Sequence, residues 1–146
     1  MTRERVAGVV VLGATALFAL APLFRGSAEF PTAQHHVLHA AMIAGSVVAA
    51  VLLAQPSRAV GASHLGWLLL AMFAPFAAMA LMWPSEYAWF ERHPGGHAIE
   101  HLALVLLGFL TAYAGQRYAA GVGWATGLTL IAMALASAWG FGVAPT

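Results

Sequence analysis

Five long apolar stretches, each of about 18–20 residues and parted by short polar breaks, restrict what this chain can fold into. They run over 6–23, 35–53, 65–83, 98–115 and 122–141. At about 1.5 Å of rise per residue, a helix of that length matches the roughly 30 Å hydrocarbon core of a bilayer. No water is available there, so a spanning segment must satisfy its own backbone, and helices are the expected form. The expected fold is therefore all-α: an integral membrane bundle of about five transmembrane helices. It is one domain over 1–146, because little chain is left over for a soluble unit.

Composition agrees. Of 146 residues, 62% are hydrophobic and 8% charged, with mean hydropathy +0.82, so the charged shell of a soluble domain is missing. There is no lysine and no aspartate. The net charge of +1 supplies no basic stripe, and no nucleic-acid partner is expected; the lipid bilayer is. Cysteine is absent, which excludes disulfides, thiolate metal sites and iron–sulfur clusters. Histidine, glutamate and methionine remain as metal ligands.

Arginine bias sets the expected orientation. With the N-terminus in the cytoplasm, that side carries Arg3, Arg5, Arg58 and Arg117, against Arg25 and Arg92 opposite, so N-in and C-out is expected. Trp83, Tyr87 and Trp89 then fall where an outer aromatic belt would sit. Pro75 is expected to bend the third helix, and Pro84 and Pro94 to bracket an outer loop. The first stretch has features of a signal peptide, with Arg3 and Arg5 ahead of it and Gly26-Ser27-Ala28 behind. Its apolar run exceeds a usual signal core, so a retained helix is expected. Small residues four apart (Ala41, Gly45, Ala49; Gly123, Gly127) mark close helix contacts.

Six of the seven histidines fall in two clusters, His35, His36 and His39, then His93, His97 and His101. One cluster opens helix two and the other opens helix four. In an alternating bundle both starts lie at the same side, here the outer one. Residues three or four apart share a helix face, so His35 pairs with His39, with His36 in reach, and His97 pairs with His101 beside Glu100. An ionisable residue such as Glu100 in a membrane helix is costly unless paired, which makes it a site candidate. Met42 and Ser46 continue the His39 face, and Gly108 continues the His97 face. Pro94-Gly95-Gly96 is expected to keep His93 in the loop, as a lid or an optional ligand. His64, alone at the start of helix three, reads as structural.

The candidate metal ligands are thus His35, His36, His39, His97, Glu100 and His101. Imidazole suits copper, zinc, iron and haem iron alike, so spacing leaves the metal open. His97 to His101 also fits the H-x-x-E-H pattern of inverted zinc peptidases, but the soluble scaffold that such enzymes need is missing. The histidine boxes further resemble those of di-iron membrane hydroxylases and desaturases, which carry more histidines and carry them on the cytoplasmic side.

"QHHVLHAAM" followed by "MWPSEYAWFERHPGGHAIEHLALVLLGFL" resembles the histidine-rich core of the CtaG-type cytochrome c oxidase assembly factors, over about half the chain. The matching positions are Gln34, His35 and His39, then His97, Glu100, His101 and Leu102. The resemblance implies copper binding or transfer that assists assembly of a respiratory haem–copper oxidase. It also implies a bacterial-type inner membrane, with the histidines on the outer, periplasmic side. In that reading His35, His39, His97 and His101 hold copper, Glu100 orients a histidine or neutralises charge, and Met42 assists with Cu(I).

Other classes stand beside it. A b-type cytochrome would ligate haem through His39 with His97 or His101, with Ala41, Ala44, Gly45 and Gly108 making room for the porphyrin, and would pass electrons from quinone to an outer acceptor. A two-metal membrane oxidoreductase would use Glu100 as a bridging ligand or base. An accessory subunit of a respiratory complex would leave the histidines merely interfacial. Five short helices enclose little, so a homo-oligomer or larger complex is expected.

Overall fold

A computed structural model of the chain describes residues 2–21, 32–54 and 62–141. The described residues form six helices and no strand: α1 (Arg3–Ala19), α2 (Thr32–Leu53), α3 (Ala62–Leu81), α4 (Pro84–Glu91), α5 (Pro94–Tyr118) and α6 (Val122–Phe141). Three stretches are long and apolar enough to cross a membrane: Gln34–Leu53, His64–Leu81 and Gly95–Tyr118. The 17 residues of α1 and the apolar part of α6 at Val122–Ser137 are shorter.

The polarity of the molecule is that of a membrane bundle. Leu17, Phe73, Phe76, Ile99 and Leu128 turn outward, each more than half exposed, while Thr15, Ser46, Thr111 and Ser137 are buried. Each of these four hydroxyls donates within its own helix, to the carbonyls of Val11, Ile43, Leu107 and Ala134 at 2.7–2.8 Å. A polar group away from water needs such a partner.

Helices α2 and α5 form the centre; α1 lies along α2, α3 along α5, and α6 closes the groove between α2 and α5. Side-chain-free surfaces set these approaches. A Cβ on Gly108 would come 2.5 Å from the Ser46 hydroxyl, so glycine lets α5 lie against α2. A Cβ on Gly45 would collide with Thr15 of α1. Gly123 and Gly127 seat α6 on α5 and α2 in the same manner. Ala41 of the expected small-residue stripe is instead exposed, while Ala49 is buried.

Long helices that follow one another along α1–α2 and α5–α6, and the pair α3–α5, run antiparallel, whereas the central α2 and α5 run parallel. The start of α1 (Gly8) packs on the end of α2 (Leu52, Leu53), and the start of α3 (His64) stacks on the end of α5 (Tyr118). Gly121, at φ +85° in the left-handed region, turns the chain from α5 into α6, and its N–H donates to Gln116 Oε1 at 3.1 Å.

Two boundaries differ from expectation. The segment between Pro84 and Pro94, expected to be a loop, contains the eight-residue helix α4, with proline in its first turn and Glu86 there to complement the helix dipole. Helix α5 starts at Pro94, not at 98, with His93 as its N-cap in extended conformation, and continues to Tyr118. The residue before a proline avoids the helical region, and Trp83 and His93 each end a segment on that account. Helix α3 runs through Pro75. The end of the first expected span, the Gly26-Ser27-Ala28 segment, Arg25, Glu29 and Arg58 lie outside the described residues.

Candidate metal centre

The end of the bundle where α1 finishes and α2 and α5 begin holds a dense group of imidazoles. His35, His36 and His39 enter from α2, and His97 and His101 from α5; all five are buried, at 6% exposure for His97 and 0–1% for the rest. The expected convergence of the two clusters at one end is what the fold produces. One antiparallel long helix, α3, returns the chain between α2 and α5, so both begin on the same side.

The rings of His35, His39, His97 and His101 form one contacting group. His35 lies 4.5 Å from His39, 5.0 Å from His97 and 5.4 Å from His101, between ring centres. His97 and His101 are 4.1 Å apart, and His39 and His101 5.1 Å. One ligand nitrogen each from His35, His97 and His101 lies within 4.8 Å of the others, so this triad can hold a metal ion. His39 flanks the triad. His36 touches His39 at 5.7 Å and sits at the edge of the group. Glu100 is fully buried on the His97 face of α5. Gln34 and Leu102, which complete the two sequence elements, are exposed and do not line the centre. His93 is exposed one turn before His97.

One hydrogen bond orients the triad. His101 Nδ1–H donates to the Ala19 carbonyl at 3.1 Å, satisfying one of the carbonyls that the end of α1 leaves open. That bond places the proton on Nδ1, so Nε2 of His101 presents its lone pair inward. It faces His35 Nε2 at 3.3 Å. Two nitrogens bound tetrahedrally to one ion at about 2.0–2.1 Å lie about 3.3–3.4 Å apart, so the pair has the spacing of a chelate. The same spacing also accommodates an N–H···N hydrogen bond from His35.

Beyond His39 the packing turns apolar and soft. Met42, one turn below His39 and fully buried, packs in a cluster with Ala19 and Val105, against the residue that anchors His101. The Ala19 carbonyl is the functional group that sequence reasoning missed. It carries no residue-type signal, and any residue at the end of α1 would offer the same oxygen. Two of the four small residues expected to clear space for a porphyrin are used otherwise: Gly108 accommodates Ser46 and Ile43, and Gly45 accommodates Thr15.

Comparison of the chain with protein-family models, curated proteins and solved structures finds no match, so the site is read from its own geometry.

Proposed function

We propose that this protein is a membrane copper-binding protein, five helices spanning with the N-terminus inside, that holds one copper ion among His35, His97 and His101. The observation that carries the reading is the inward-facing Nε2 pair of His35 and His101, oriented by the bond to Ala19 and joined by His97 in a dry interior. A metal ligand whose second nitrogen is anchored to a carbonyl is the usual support for a histidine site. An all-imidazole triad selects late transition metals, among which copper binds most tightly, and the buried thioether of Met42 suits the cuprous state. A cuprous ion and the Glu100 carboxylate would together carry no net charge, which suits a centre inside a bilayer.

The centre serves to hold and hand on the ion. Its resemblance in Gln34, His35, His39, His97, Glu100 and His101 to the CtaG-type factors supports delivery to a respiratory haem–copper oxidase at the outer face of a bacterial-type inner membrane. The apolar outer surface is the side on which a second copy or the oxidase would pack.

The packing favours an ion over haem. A porphyrin needs a slot the width of its own plate between its axial rings. Here four imidazoles touch one another, and glycines that could have opened that slot are filled by neighbouring helices.

The test is elemental analysis and an absorption spectrum of the protein purified in detergent without a histidine tag. One copper per chain and no Soret band are expected, and the double variant His97→Ala/His101→Ala should insert in the membrane but retain no metal. A Soret band with one iron per chain would establish the cytochrome instead, and two metals per chain the two-metal oxidoreductase. Because imidazole must be neutral to bind, acidification should release the copper.

A further inference from the structure

Three histidines fall four residues apart at the start of α5, His93 as its N-cap and His97 and His101 in its first two turns, and their burial is graded. His93 is exposed, His97 is the least buried ring of the centre at 6%, and His101 is fully buried. The series runs from the outside of the molecule to the innermost ligand, with steps of about one helical turn each.

His93 is also held as a ligand is held. Its Nδ1 bonds to the Trp89 carbonyl at 2.8 Å, and its ring stacks on the Trp89 indole with centres 4.4 Å apart and planes 25° apart. The Nδ1–H donating to a carbonyl in the last turn of α4 repeats what His101 does with Ala19 at the end of α1. In both residues the bond leaves Nε2 as the nitrogen with a lone pair. Gly96 leaves room for the arrangement: a Cβ there would meet Trp89 and Phe90 at 3.2 Å and His93 at 3.3 Å. Helix α4 and its stacked aromatics are thereby seated on the first turn of α5, directly before His97.

We propose that His93 is the receiving ligand of a loading path, taking a cuprous ion from the aqueous side and passing it to His97 and so to the His35–His101 pair. This rests on the copper reading given above. The transfer is a ligand exchange in which the bond to His97 Nδ1 or Nε2 forms as the bond to His93 Nε2 breaks; the ion keeps its charge and no electron moves. A capping histidine would need only its Nδ1–H. The three histidines spaced over two turns, and the exposed ring clamped by Trp89, are what a path requires in addition.

The experiment is stopped-flow loading of the full-length protein in lipid nanodiscs from the cuprous complex of a chromogenic chelator, with equilibrium competition on the same samples. His93→Gln should load about tenfold more slowly, a loss of the size seen when a supporting group of a metal site is removed, while its final stoichiometry and affinity stay those of the wild type. Unchanged affinity also shows that the centre is folded. In His93→Gly, added imidazole should restore the rate by a larger factor than it changes the wild type. A loading rate equal to wild type in His93→Gln would overturn the path. So would a matching fall in affinity, which would make His93 a ligand of the centre itself. Failure of the wild type to take up copper at all, or full binding by His101→Ala, would instead overturn the copper reading and the path with it.

Discussion

The two ends of the bundle use similar residues to opposite effect. At one end His35, His39, His97 and His101 meet in the buried interior. At the other, His64 stacks on Tyr118 with ring centres 4.4 Å apart, Trp67 meets Tyr113 at 5.9 Å, and the Arg117 guanidinium lies 5.5 Å over Trp67. These groups are half-buried, and only one imidazole is among them. Both ends set a histidine between antiparallel helices. The lesson is that residue type alone does not make a metal centre. A histidine beside one ring behaves as an aromatic residue, whereas several donors brought from helices apart in the chain, with one tautomer fixed by a backbone carbonyl, can hold a metal.

The sharpest way to break this comparison is to remove one imidazole from each end. His35→Ala should reduce bound copper from one per chain to none under dialysis, whereas His64→Ala should leave the copper content unchanged; elemental analysis reads both. Equal losses would show that the ends do not differ in function.

A smaller effect is expected from Glu100→Gln, which keeps the shape of a fully buried side chain and removes its charge. Copper affinity should fall by about 10–100-fold, the range for outer groups of a metal site, as measured by competition with a chelator of known affinity. An unchanged affinity would remove Glu100 from the centre and leave it a packing residue.

The smallest effects concern the helix contacts that bring the ligands together. Gly108→Val must displace Ser46 and Ile43 from α5, and overpacking of that kind costs about 1–3 kcal/mol. Gly66→Ala on α3 meets nothing within 4 Å and should raise helix stability by about 0.5–1 kcal/mol. Unfolding titrations in mixed micelles would measure both. Copper affinity should fall in the Gly108 variant only, since α2 and α5 carry the ligands and α3 carries none.

Much of the fold was legible because it rests on local signals. An apolar run of bilayer length can hardly be anything but a helix, and α2, α3, α5 and α6 fall on the expected stretches to within a few residues. Helix α4 was not legible as a helix. It is short, and its evident landmarks, Pro84 and Pro94, read equally as loop brackets. The opening Pro-Ser-Glu, with proline at the helix start and an acid in the first turn, was the available signal. Of the candidate ligands, the i, i+4 pairs were legible from helical periodicity. The rank among them was not, because nothing local distinguishes His36 at the rim from His35 at the centre, one residue away.

By itself the sequence determined that this chain makes apolar helices of membrane length, that its metal ligands can only be imidazole, carboxylate or thioether, and that two histidine clusters start helices facing the same way. These follow from composition and from a periodicity that acts over one or two turns. Only the tertiary structure decided that His35, His97 and His101 converge, that Glu100 is buried, and that the end of α1 supplies the carbonyl that turns His101 inward. Those outcomes depend on how α1, α2 and α5 are rotated and set against one another. That is fixed by contacts distant in sequence, Gly108 on Ser46 and Gly45 on Thr15, which no pattern within a single helix reveals.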